Sequence, residues 1–167
     1  MTDAVDEIFQ QWERIRPGVD VSPMGVVGRV SRASRLLERG VKEFLAAQGL
    51  EAWEFDMLAT LLRSGESATM CMKDLSAAAM VSPGALTNRM DHLVDRGLVT
   101  RRPAPGNRRM ILVALTDEGR RVTDEVLEGH LDNESRLLSA LTAEDRDTLA
   151  ALLRKLLISL GDTSLSP

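Results

Sequence analysis

Apolar positions recur at helical spacing along most of the chain. Val5, Ile8, Phe9, Trp12 and Ile15 line one face of a first helix, which Pro17 and Gly18 close. A linker over residues 19–23 follows, then Val27, Val30, Leu37, Val41, Phe44 and Leu45 mark a long second helix ending near Gly49. Phe55, Leu58, Leu61 and Leu62 mark a third, ending at Gly65. Lys73 to Met80 form a short helix with Leu75 and Ala77–Ala79 turned inward. Ser82 suits the cap of the next helix, and Pro83 its first position, where a missing N–H costs nothing. Leu86, Met90, Leu93 and Val94 then give one apolar stripe, and Gly97 ends the helix. Leu98–Arg102 and Met110–Leu115 are strand-like, with the turn PAPGN between them. Thr116 caps a long helix to about Leu138, and its first turn carries Asp117 and Glu118, favourable at a helix N-terminus. Thr142 to Asp145 form a capping box that opens a last helix bearing Leu149, Leu152, Leu153, Leu156, Leu157 and Leu160.

This order predicts a mainly α fold with a small β-wing. A winged helix-turn-helix occupies about residues 50–116. Helices at about 5–48 and 117–160 form a dimerisation lobe, within one domain over residues 1–167. The outer face of the second motif helix carries Gly84, Thr87, Asn88 and Asp91, small or polar groups able to approach a groove closely. The chain is net −4, yet residues 83–109 carry six arginines against Asp91 and Asp95, leaving that window +4 and the remainder −8. An acidic protein with one basic tip presents that tip to phosphate. The expected DNA contacts are Ser82, Pro83, Gly84, Thr87, Asn88, Arg89, Arg108 and Arg109. The final leucine stripe is wide for one small lobe; it fits either a core helix or the interface of a homodimer on a two-fold, pseudo-palindromic operator, and the need for two half-sites favours the dimer.

Composition narrows the alternatives. Aromatics are 3% with no Tyr, which argues against single-strand binding on stacking platforms. No run of about 18 apolar residues predicts a membrane span, and the acidic N-terminus does not read as a signal peptide. A lone cysteine, Cys71, in a small apolar turn beside Met70 and Met72, fits a reducing cytoplasm; no His or basic pair in the sequence obviously activates it. His92 and His130 lack ligand spacing, so neither a metal nor a cofactor is expected, and no nucleophile–base pair suggests an enzyme.

The segments VSPGALTNRMDHLVDRGLVTR, GNRR and LVALTDEG resemble the MarR family of winged-helix regulators, and the likeness runs from about Ile8 to Leu160. It implies a DNA-binding transcription regulator, a repressor released by a small ligand. Asn107 stands where the family often has an Asp that holds the wing arginine, and Gly84-Ala85 where many members have Ser-Thr. IFQQWERIRPGVDVSPMGVVGRVSRASRLL and EFDMLATLLRSG are similar to the PecS-type, urate-responsive branch. That likeness implies a ligand quartet of Trp12, Asp56, Arg63 and Arg101. Asp56 and Arg63 lie two helical turns apart on one face, and an N–H acceptor, a cation and a flat ring suit a planar purine anion. Read on their own, Trp12 also fits core filling and Asp56 a structural pair with an arginine. Two other readings stand beside the urate-released repressor. One is a regulator responding to another anion, such as a phenolic acid or a polycarboxylate. The other is a ligand-blind architectural DNA binder.

Overall fold

A computed structural model describes residues 2–165; Met1 and the end of the GDTSLSP tail, Ser166 and Pro167, lie outside the described residues. The elements follow as α1 (Ala4–Ile15), α2 (Ser22–Ala47), α3 (Ala52–Leu62), β1 (Thr69–Cys71), α4 (Met72–Ala78), α5 (Pro83–Asp95), β2 (Val99–Ala104), β3 (Asn107–Leu115), α6 (Asp117–Leu137) and α7 (Ala143–Ser159). The chain divides after Val41 into two compact units.

In the first unit α1 starts at a capping box in which Asp3 and Asp6 satisfy each other's backbone N–H. Arg29 of α2 binds both carboxylates, with Nε 2.8 Å from Asp3 and Nη2 2.7 Å from Asp6. Glycine lets the helices touch: a Cβ on Gly25 would sit 2.6 Å from the Phe9 ring, and Val5 is buried against Gly28. The expected linker is shorter than its sequence suggests. Ser22 and Pro23 already belong to α2, because the Asp20 carboxylate accepts the Ser22 N–H and starts the helix there.

The second unit holds the main core, with Leu45, Met57, Leu58, Leu61, Leu75, Leu86, Met90, Leu93, Val99 and Val113 all nearly inaccessible. Three antiparallel strands in the order β1-β3-β2 flank the helices. β1 is a strand the periodicity does not reveal. It has three half-buried residues and exists only through pairing with β3, Cys71 opposite Leu112. Cys71 therefore ends a strand rather than sitting in a turn, and its sulfur caps α4 by accepting the Asp74 N–H. The wing strands also run further than their apolar residues indicate. Pro103 and Ala104 join β2, Asn107 to Arg109 join β3, and the turn shrinks to Pro105-Gly106, with Gly106 at φ +74°. The register slips between Pro103 and Ala104, where proline cannot donate to the ladder.

The wing is locked to both neighbouring helices at its base. Thr116 donates its hydroxyl to the Gly97 carbonyl at 2.7 Å and accepts the Gly119 N–H at 2.9 Å, capping α6. Only glycine fits at 119, since a Cβ would lie 1.9 Å from the Leu98 carbonyl oxygen. Between α4 and α5 the turn is a complete Schellman motif. The Val81 N–H reaches the Ser76 carbonyl at 3.0 Å and the Met80 N–H reaches Ala77 at 3.1 Å. The left-handed position of that motif is Met80, at φ +50°, where glycine would be free of a steric cost of about 1 kcal/mol.

Candidate nucleic-acid interface and ligand residues

α5 is positioned as a reading helix. Ser82 caps it, accepting the Ala85 N–H, and Pro83 takes the first helical position. Leu86, Met90 and Leu93 are buried, which turns Gly84, Thr87, Asn88 and Asp91 outward. A Cβ on Gly84 would meet nothing within 4 Å, so the protein's own packing does not require glycine there. Thr87 donates its hydroxyl to the Pro83 carbonyl at 3.0 Å, leaving its oxygen free to accept. Asn88 is exposed and its amide has no hydrogen-bond partner among the described residues.

The C-terminal end of α5 is tied to α3 by a buried carboxylate, Glu54. Its side chain is 2% exposed and takes both oxygens to Arg96 Nη1 at 2.6 Å, with His92 Nε2 at 3.1 Å. It also accepts the Glu51 N–H at the start of α3, while Arg96 reaches the Gly49 carbonyl at 3.1 Å. Sequence reasoning did not find this clamp, because 42 residues separate Glu54 from Arg96 and no local pattern links them.

The clamp also changes the charge map. Of the six arginines in the basic window, Arg96 is held by Glu54 and Arg101 is ion-paired with Asp91 of α5. Arg89 is half-buried and lies 5.4 Å from the Trp53 ring centroid. Arg102, Arg108 and Arg109 remain exposed on the wing, without an ion pair among the described residues. Asn107 does not hold a wing guanidinium; its side-chain oxygen accepts the Arg109 backbone N–H at 3.1 Å and shapes the turn. Arg109 and Lys73 share the lining of an open cleft of about 430 Å³ with Cys71, Met72, Asn107 and Met110. Lys73, in the first turn of α4, is a cation that the sequence reading left out of the interface.

The residues expected to hold a ligand lie on both units. Trp12, on α1 in the first unit, is 39% exposed. Asp56 is on α3, Arg63 is its C-terminal cap residue, and Arg101 is on β2. Surrounding protein desolvates the Asp56 carboxyl and holds it above its ordinary range, against the opposing pull of Arg63 and Arg89. Arg63 also donates to the hydroxyl of buried Thr60 at 3.1 Å. Within the second unit Asp56 and Arg63 are thus electrostatic neighbours, and the other cation near Asp56 is Arg89 of α5. Arg101 is engaged by Asp91.

A helix-turn-helix with a small polar outer face, followed by a hairpin with free arginines, defines a winged-helix DNA-binding protein. The chain belongs to the MarR family of transcription regulators: the MarR family model matches residues 48–110, and a relative at 40% identity covers most of the chain. That relative is the HTH-type transcriptional regulator PecS of Dickeya dadantii, aligned over 89% of this chain and 90% of its own length. A cysteine-to-serine mutant of MarR from Escherichia coli, solved with operator DNA, superposes with a TM-score of 0.72 at 28% identity, over 87% of this chain and 97% of that one. AbsC of Streptomyces coelicolor shares the fold with a TM-score of 0.78 at 23% identity, over 87% of this chain and 98% of that one. The chain is therefore a DNA-binding transcriptional regulator and not an enzyme. Among the described residues no helix is long and apolar enough to cross a membrane.

Proposed function

We propose that the protein is a homodimeric repressor that binds a pseudo-palindromic operator and is released by a small anionic ligand such as urate. The whole chain acts as one functional domain, with α3 to β3 reading DNA and the terminal helices pairing the protomers. The observation that carries the dimer is α7, which has no buried residue although Leu152, Leu156, Leu157 and Ile158 are apolar. An apolar face of that extent is stable in water when a second copy covers it. Two paired protomers present two recognition helices to successive major grooves. Ser82, Pro83, Gly84, Thr87, Asn88 and Arg89 face the bases and nearby backbone, and Arg108 and Arg109 contact phosphates from the wing.

The ligand reading rests on the quartet Trp12, Asp56, Arg63 and Arg101. Arg63 is exposed and available to an anion, and the raised Asp56 carboxyl is suited to exchange hydrogen bonds with a ring N–H. A ligand shifts the DNA-bound population only through different affinity for the two states. An anion competing for Asp56 and its cations has a direct route to α5, since Arg89 is one of them.

The test begins with duplexes selected from a random library by the full-length protein. Their binding is measured against salt, and urate is then titrated into the complex. Arg108→Ala should shallow the salt slope by about one unit per lost phosphate contact. Arg63→Ala or Trp12→Ala should keep duplex affinity and blunt urate release. A monomer in sedimentation refutes the dimer. Normal DNA binding with no response to millimolar urate refutes the urate assignment, and a response to a phenolic acid or polycarboxylate in its place identifies the other anion. Indifference to all of them leaves a ligand-blind architectural binder.

A further inference from the structure

Met80 is an outlier twice over. It occupies the left-handed position of the α4–α5 turn at φ +50°, where a glycine would be unstrained, and its side chain is 92% exposed. The Schellman hydrogen bonds around it involve only backbone atoms of Ser76, Ala77, Met80 and Val81, so the side chain does nothing for the turn. An unstrained residue with less apolar surface would build the same backbone. The protein instead keeps an extended apolar side chain two residues before Ser82, the cap of the reading helix.

We propose that Met80 is a base-reading residue that buries its side chain against the 5-methyl group of a thymine in the operator. Docking of a helix-turn-helix brings the N-terminal end of its second helix to the base edges. Gly84, beside that end, is open and leaves room for the approach. A thioether carries no N–H or O–H to donate and no charge to pair with phosphate. The apolar feature that B-DNA offers in its major groove is the thymine methyl. A flexible, polarisable methionine moulds to such a target. The left-handed backbone then has a use: it aims the side chain outward, clear of α4 and α5. This contact rests on the assignment of α5 to the groove and adds a readout separate from Thr87 and Asn88.

The experiment uses full-length protein and a duplex selected from a random library. Each thymine is replaced in turn by deoxyuridine, which removes only the methyl group. Binding is measured for wild type, Met80→Gly and Met80→Leu, with melting temperatures alongside. At one thymine per half-site the wild type should lose about fourfold in affinity, the value of burying one methyl group. Met80→Gly should bind the unmodified duplex about fifteenfold more weakly, because both half-sites lose the contact, ignore that substitution, and melt no lower than wild type. Met80→Leu should keep the sensitivity. Met80→Gly binding as tightly as wild type overturns the proposal. So does a weaker Met80→Gly that retains the full wild-type deoxyuridine profile, since the contact would then be to the sugar–phosphate chain. A wild type that enriches no duplex fails one step earlier. It refutes the DNA-facing assignment of α5, and this inference with it, before any Met80 variant is made.

Discussion

Replacing Glu54 by Gln tests whether the recognition helix is held by a buried charge. Gln keeps the shape and can still accept the Glu51 N–H through its amide oxygen, so the loss is confined to the charge and to Arg96 and His92. Breaking a fully buried ion pair costs about 3–5 kcal/mol. Here Glu54 is 2% exposed but Arg96 is 36% and His92 55% exposed, so water resolvates both partners in part. About 2–3 kcal/mol remains, within the net value of one hydrogen bond to a charged acceptor. For a domain of this size that is a fall in Tm of about 5–10 °C. The assay is thermal unfolding at fixed protein concentration for Glu54→Gln, Arg96→Met and the double variant. Coupling of about 1–2 kcal/mol is expected from the cycle, because the two side chains are in direct contact. A fall of under about 1 °C, or strictly additive variants, would show that the clamp contributes nothing and that packing of Leu86, Met90 and Leu93 alone positions α5.

Three further outcomes follow from particular positions. Gly84→Ala should raise stability by up to about 1 kcal/mol, since a Cβ meets only open space and alanine favours helix, while weakening duplex binding; equal affinity in a duplex titration would place the groove elsewhere. If the proposed dimer pairs through α7, Leu153→Glu or Leu156→Glu should dissociate it and lower DNA affinity together, since a carboxylate buried without a partner costs several kcal/mol; sedimentation of both variants beside wild type decides it. Asp56 has a folded pKa above its ordinary 3.8, so the fold favours its protonated form. That contribution is present in acid and is lost as pH rises through the folded value. Asp56→Asn should therefore melt no lower than wild type at pH 7, flatten the stability profile above about pH 4, and abolish the ligand response; a lower Tm at pH 7 would mean that Arg63 and Arg89 outweigh desolvation.

Local chemistry carried much of the fold into the sequence. Helical periodicity set α1, α2, α3, α6 and α7, and the caps Ser82, Thr116 and Thr142 act as their side-chain chemistry demands, each accepting a first-turn N–H. The outer face of α5 was legible for the same reason: burying Leu86, Met90 and Leu93 leaves Thr87 and Asn88 no other side. Features that depend on partners distant in sequence were not legible. β1 exists only through β3, and Glu54 reads as an ordinary helix-surface residue until α5 brings Arg96 and His92 to it. The six arginines of the basic window look equivalent in the chain, yet tertiary neighbours divide them: Asp91 takes Arg101, Glu54 takes Arg96, Trp53 takes Arg89, and Arg102, Arg108 and Arg109 stay open. Met80 is a helix-end residue by sequence; only the turn geometry makes it left-handed and drives its side chain into solvent. Periodicity and capping are properties of a few consecutive residues, whereas charge pairing, desolvation and strain are set by which distant segments the fold packs together.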